Sequence, residues 1–134
     1  MEKKSLLFVD DEPEILENYR LYFEKSYEFI VITASDPNEA LNKLERQKFH
    51  LICTDFRMPN TNGADFITEA RSIKGNENVP CIIITGYIEE ATKACEGIPN
   101  LLLLAKPVSL PSVAELARHI AKSGKIPALN QKRA

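Results

Sequence analysis

Five short apolar runs punctuate the chain, at about 5–9, 29–34, 51–54, 80–85 and 101–105. Each is nearly continuous in apolar residues, as expected of strands covered on both faces. The stretches between them repeat at helical spacing. A first helix over about 12–25 places Ile15, Tyr19 and Tyr22 or Phe23 on one side. A second opens at Asp36-Pro37-Asn38-Glu39: Asp36 is a natural N-cap, Pro37 fits the first helical position and Glu39 can complete a capping box. Ala40, Leu41 and Leu44 form its apolar stripe. A third, over about 63–73, carries Phe66, Ile67, Ala70 and Ile73; a short fourth, over about 88–96, has only Ala91, Ala94 and Cys95. A fifth, over about 110–122, shows Leu110, Val113, Leu116, Ala117 and Ile120. Strands alternating with helices argue for an α/β fold with a parallel sheet and right-handed crossovers.

Composition narrows the function classes. The 134 residues suffice for one domain with a full core, and 44% hydrophobic with 27% charged residues is ordinary globular usage. A net charge of −2 gives no electrostatic case for a nucleic-acid or membrane surface. The final stretch, with Lys122, Lys125, Lys132 and Arg133, is locally basic and reads as a solvated tail. Cys53, Cys81 and Cys95 lack zinc-ligand spacing and read as buried free thiols of a reducing, cytoplasmic compartment. No apolar run is long enough to span a bilayer, and Asp10-Asp11 interrupts the only stretch near the N-terminus that resembles a signal-peptide core. His50 and His119 stand alone, one before the third strand and one in the last helix, and neither is placed for catalysis.

The chemistry gathers at the ends of the runs. Asp10 and Asp11 follow the first, Asp55 the third, Thr85 closes the fourth, and Lys106-Pro107 follows the fifth. In an open parallel sheet, ligands bind in the crevice beyond the carboxyl ends of the strands. Three carboxylates there are costly without a cation. Magnesium, a hard ion that takes carboxylate, water and phosphate oxygens, suits them. A carboxylate beside bound magnesium can attack phosphorus and form an acyl phosphate, with Lys106 and Thr85 taking phosphoryl oxygens. Helix capping by Asp10 or Asp11 is the plainer alternative for those two, but it leaves Asp55, Thr85 and Lys106 unexplained.

Read in order, Val9-Asp10-Asp11-Glu12-Pro13, Thr54-Asp55-Phe56-Arg57-Met58-Pro59, Gly63, Ile84-Thr85-Gly86 and Ala105-Lys106-Pro107 resemble the receiver domain of two-component response regulators. The resemblance covers roughly residues 4–122. It implies a receiver domain over 1–122 and a short tail or linker start over 123–134. It also implies a flavodoxin-like, doubly wound five-stranded parallel sheet of order 2-1-3-4-5. By position, Asp55 is then the phosphoacceptor, and Asp10, Asp11, Asp55 and the backbone carbonyl of Arg57 hold Mg2+. Lys106 pairs with the phosphoryl group, the Lys106–Pro107 bond is cis, and Thr85 moves on activation. The implied partners are a sensor histidine kinase or histidine phosphotransfer protein and a downstream target or output domain. The implied signalling or homodimer surface is the fourth helix, fifth strand and fifth helix.

Leu103 departs from the pattern, because the family usually carries an aromatic residue three positions before the lysine. Tyr87 either supplies a substitute ring or covers the fourth helix as a surface tyrosine, and the second reading is favoured. Arg57 and Tyr87 flank the expected phosphoryl site, where they can tune phosphoryl lifetime by guiding or blocking water. The expected function is a phosphoacceptor signalling module that catalyses only its own phosphorylation and dephosphorylation. Two alternatives stand. One is a degenerate receiver used as a binding scaffold. The other is an aspartyl-phosphate phosphohydrolase, disfavoured because Arg57 stands where such enzymes place a second acid. Whether the chain is a stand-alone regulator or a part of a larger one stays open.

Overall fold

The computed structural model describes residues 2–127. The elements follow in the order β1 (Lys4–Val9), α1 (Pro13–Glu24), β2 (Phe29–Ala34), α2 (Pro37–Arg46), β3 (Leu51–Thr54), β4 (Arg57–Met58), β5 (Thr61–Asn62), α3 (Gly63–Arg71), β6 (Cys81–Thr85), α4 (Ile88–Ala94), β7 (Leu101–Ala105) and α5 (Leu110–Ser123). β2-β1-β3-β6-β7 form one sheet, parallel at every pairing. This is the expected 2-1-3-4-5 order once the small β4–β5 hairpin is set apart. That antiparallel pair, Arg57 opposite Asn62 and Met58 opposite Thr61, was not anticipated. Two residues per strand are too few for periodicity to register. Its turn is marked by Asn60 at φ 67°, a left-handed conformation that asparagine tolerates.

Alternate strand residues feed opposite core layers. On one side Leu7, Val9, Ile52 and Ile83 meet Ala40 and Leu44 of α2, Phe66, Ile67 and Ala70 of α3, and Ala91 of α4. On the other, Leu6, Phe8, Ile82 and Ile84 meet Tyr19 and Phe23 of α1 and Val113, Ala117 and Ile120 of α5. The buried stripe of α1 is Leu16, Tyr19 and Phe23, with the expected Ile15 and Tyr22 only half-buried beside it. Ala94, expected on the apolar face of α4, is exposed; Ala91 and Cys95, one turn apart, carry that contact. All three cysteines are free and buried.

Local chemistry sets the helix starts. Asp36 accepts the Glu39 N–H at 2.8 Å as α2 begins. Glu39 does not return the bond to the Asp36 amide, as a capping box requires. Its carboxylate accepts the Ser35 N–H at 2.7 Å, one residue further out. Asn62 caps α3 through the Asp65 N–H, and Ser109 caps α5 through the Ser112 N–H.

The pole opposite the carboxyl ends of the strands is tied by side chains. His50 Nδ1 accepts the Ser5 N–H at 3.0 Å, which makes it a staple between β1 and the start of β3. Arg71 donates to the carbonyls of Val79, Pro99 and Asn100. Asn100, at φ 54°, donates to the carbonyls of Asn78 and Gly124 and accepts the Ile126 N–H. Helix α5 thus includes Ser123, and Ile126 is buried against the α1–α5 layer. The rest of the expected tail, 128–134, lies outside the described residues. Arg71→Ala removes the donor to three carbonyls at once. It should lower the unfolding free energy by ~1–3 kcal/mol, read as a lower urea midpoint with unchanged slope.

Candidate functional site

Parallel pairing brings the ends of β1 and β3 together. The Asp10 N–H extends the ladder to the Ala34 carbonyl, and the Asp55 N–H to the Val9 carbonyl. Asp10, Asp11 and Asp55 therefore face one another, with a carboxylate oxygen of each within 4.8 Å of the others. Asp10 is buried, Asp55 half-buried and Asp11 exposed. Capping is part of the role of Asp10: its Oδ1 accepts the Glu12 N–H at 2.9 Å, turning the chain into α1. Asp55 Oδ1 accepts the Phe56 N–H at 2.7 Å. Its Oδ2 lies 3.7 Å from Lys106 Nζ, close enough for charge attraction and too far for a good hydrogen bond.

Lys106 reaches the site from the end of β7, where its N–H donates to the Thr85 carbonyl and its bond to Pro107 is cis. Thr85 is fully buried, and its hydroxyl oxygen accepts the Tyr87 N–H at 3.0 Å. Gly63 allows the loop after Asp55 to fold back tightly: a Cβ there would stand 2.8 Å from the Asp55 carbonyl oxygen. Leu103 lies one strand position pair inward from the rim, opposite Ile83, and packs half-buried on the α3–α4 side.

Arg57 and Tyr87 meet each other rather than standing apart. The guanidinium carbon lies 3.6 Å from the centre of the Tyr87 ring, a cation–π stack. The same guanidinium donates to Glu90 Oε1 at 2.6 and 3.0 Å. Glu90 was missed in the sequence, although it lies one helical turn beyond Tyr87 with a charge opposite to that of Arg57. Tyr19 was also missed as a site residue, because its spacing on α1 marks it as core. It lines the cleft under the acidic cluster with Val9, Asp10, Cys53, Thr54, Asp55 and Ile84.

Burial controls the electrostatics. Desolvation pushes the Asp10 carboxyl up to about 6; the Glu12 N–H opposes this, the Asp55 charge adds to it, Lys106 opposes it and Asp11 adds to it. A carboxyl that holds its proton more tightly folded than unfolded favours folding in acid. That contribution is lost as pH rises from about 4 to about 6. With a chelator present, the wild-type chain should therefore lose thermal stability across this window relative to Asp10→Asn. The variant should be the more stable of the two at pH 7, and unfolding midpoints at pH 4 and pH 7 check both statements.

Comparison with known proteins places this geometry. The family model for the response regulator receiver domain matches residues 6–118. A response regulator receiver protein from Anaeromyxobacter sp. is 30% identical over 111 residues, covering 82% of this chain and 45% of that protein. The chain spans about half the length of the curated relatives it matches. A response regulator receiver domain protein from Clostridium thermocellum superposes with a TM-score of 0.78 at 26% identity, over 90% of this chain and 96% of that one. The response regulator TrrA from Thermotoga maritima, solved in complex with Mg2+–BeF, superposes with a TM-score of 0.74 at 24% identity, over 87% and 98%. With a match over most of its length and the fold of these neighbours, the chain belongs to the response regulator receiver domain family.

Proposed function

We propose that this domain accepts a phosphoryl group on Asp55 and so switches a protein-binding surface within a two-component system. The observation that carries this reading is the cluster of Asp10, Asp11 and Asp55 within 4.8 Å, with Lys106 Nζ 3.7 Å from Asp55. Three hard oxygen donors, one of them desolvated enough to hold its proton to about pH 6, fit a divalent cation better than they fit one another. Asp10, Asp11, Asp55 and the Arg57 carbonyl are the groups that would hold Mg2+. When bound, the ion would neutralise charge on the transferring phosphoryl group.

The chain's own residues supply the rest. A carboxylate oxygen of Asp55 forms a bond to phosphorus as the bond from phosphorus to the donor breaks, and the donor group departs with that electron pair. The donor is a phosphohistidine of a histidine kinase or phosphotransfer protein. Lys106 gives up its long-range attraction to Asp55 and binds a phosphoryl oxygen. Thr85 keeps a free hydroxyl proton, because its oxygen is the acceptor in the bond from Tyr87. Rotating the whole Thr85 side chain to bring that proton to the phosphoryl group would carry Oγ1 away from the Tyr87 N–H and free the loop into α4. The surface that reads this is α4, β7 and α5, where the seven-residue α4 has Ala91 as its one buried residue. Leu103 stands where the family usually carries an aromatic, and in this reading the switch runs through the Thr85–Tyr87 bond. A domain of this kind belongs in the cytoplasm; among the described residues no helix is long and apolar enough to cross a membrane. The proposed receiver domain is 1–122, with 123–134 as a short tail or linker start, of which Ile126 packs back onto the core.

A phosphohydrolase reading fits less well: Arg57, in the position of a second acid, is paired with Glu90. Incubation with Mg2+ and acetyl phosphate should add one phosphoryl group to the intact mass, absent in Asp55→Ala and with chelator. No gain in the wild-type chain would favour a phosphorylation-independent scaffold, and turnover of a phosphate ester would favour the enzyme. Arg57 and Tyr87 are proposed to restrain water at the acyl phosphate. Arg57→Ala should therefore shorten the lifetime of the phosphorylated state a few-fold, and an unchanged decay rate would remove that role.

A further inference from the structure

Tyr19 lines the cleft of the acidic site from helix α1. Tyr19 is buried on α1, and its ring stacks on Phe8 with centroids 4.4 Å apart and planes 17° from parallel. That stack fixes the direction of the phenol. The cleft that receives it is lined by Asp10, Cys53, Thr54 and Asp55, with room for about one water, ≈ 10 Å³. Tyr19 lines this cleft together with Asp10 and Asp55. A phenol is an O–H donor at neutral pH, and the side chains across the cleft are carboxyls.

The two sides of this cleft have matching unused capacity. Asp10 spends Oδ1 on the Glu12 N–H, and its second oxygen makes no hydrogen bond to protein among the described residues. The Tyr19 hydroxyl likewise has no protein partner among the described residues, and it is not sealed from solvent. A buried phenol normally finds a partner. The Val9 and Ile84 side chains are apolar, so the side-chain acceptors lining the cleft belong to the carboxylates, Thr54 and the Cys53 thiol.

We infer that Tyr19 is a positioning residue for the metal site: its hydroxyl, through one water in this cleft, holds the Asp10 carboxylate in the orientation that binds a divalent cation. Ring and hydroxyl have separate tasks here. The ring builds the core against Phe8, and the hydroxyl braces a ligand from behind, as outer-shell partners do at other metal sites. This inference rests on the reading of the acidic cluster as a Mg2+ site.

Tyr19→Phe keeps the ring and removes only the donor. Titration of the full chain with MgCl2 in a calorimeter, at constant ionic strength, should show affinity weakened by about tenfold. Phosphorylation by acetyl phosphate should recover at saturating Mg2+, and the urea midpoint should stay close to wild type. A second readout is independent of the variant's fold. Mg2+ should perturb the near-ultraviolet tyrosine absorption of Tyr87→Phe, which removes the other tyrosine beside the site, and that perturbation should be lost in the double variant Tyr19→Phe with Tyr87→Phe. Equal Mg2+ affinity in wild type and Tyr19→Phe would overturn the inference while leaving the metal reading intact. Absence of Mg2+ binding by the wild-type chain would overturn both.

Discussion

Everything at this site follows from forcing like charges together at the edge of a low-dielectric sheet. The ladder places Asp10 and Asp55 where the backbone ends, and burial removes the water that would screen them. The cost is met in three ways. A backbone N–H takes one oxygen of Asp10, a lysine ammonium attracts Asp55, and the Asp10 carboxyl holds its proton toward neutral pH. None of these is complete. A site held in that condition responds strongly to any added positive charge.

That sensitivity has short routes outward. Lys106 sits at the end of β7, and its amide leans on the Thr85 carbonyl. Thr85 holds the Tyr87 N–H, the Tyr87 ring holds the Arg57 guanidinium, and Arg57 holds Glu90 on α4. Arg57 lies two residues beyond Asp55, so these contacts close a ring of short-range interactions around the mouth of the site. The buried member, Thr85, moves only if another partner takes up its hydroxyl. The exposed ones, Arg57 and Glu90, exchange partners at little cost, since surface ion pairs contribute at most about 1 kcal/mol.

The backbone frame was largely legible in the sequence because its signals are local and repeated. Buried parallel strands such as Cys81–Thr85 read as unbroken apolar runs, and Asp36 and Pro37 announce a helix start through their own chemistry. The acidic cluster was legible for a different reason: carboxylates at the ends of successive strands share an edge in any parallel sheet. Features that depend on two distant segments meeting were not. The Arg57–Glu90 pair spans 33 positions and the Arg71 contacts up to 29, with no period linking them. Tyr19 was hidden by ambiguity, since a tyrosine at a core position has the same pattern whether or not its hydroxyl has work to do.

The Asn100 side chain gives the opposite pole a mechanical character. One amide group holds the carbonyls of Asn78 and Gly124 and the N–H of Ile126, and Ile126 is itself sunk into the core. Tension applied to the chain beyond Pro127 is borne first by this knot rather than by the last turn of α5. The load passes sideways into the loops that precede β6 and β7, so the end of the helix is shielded from being peeled away.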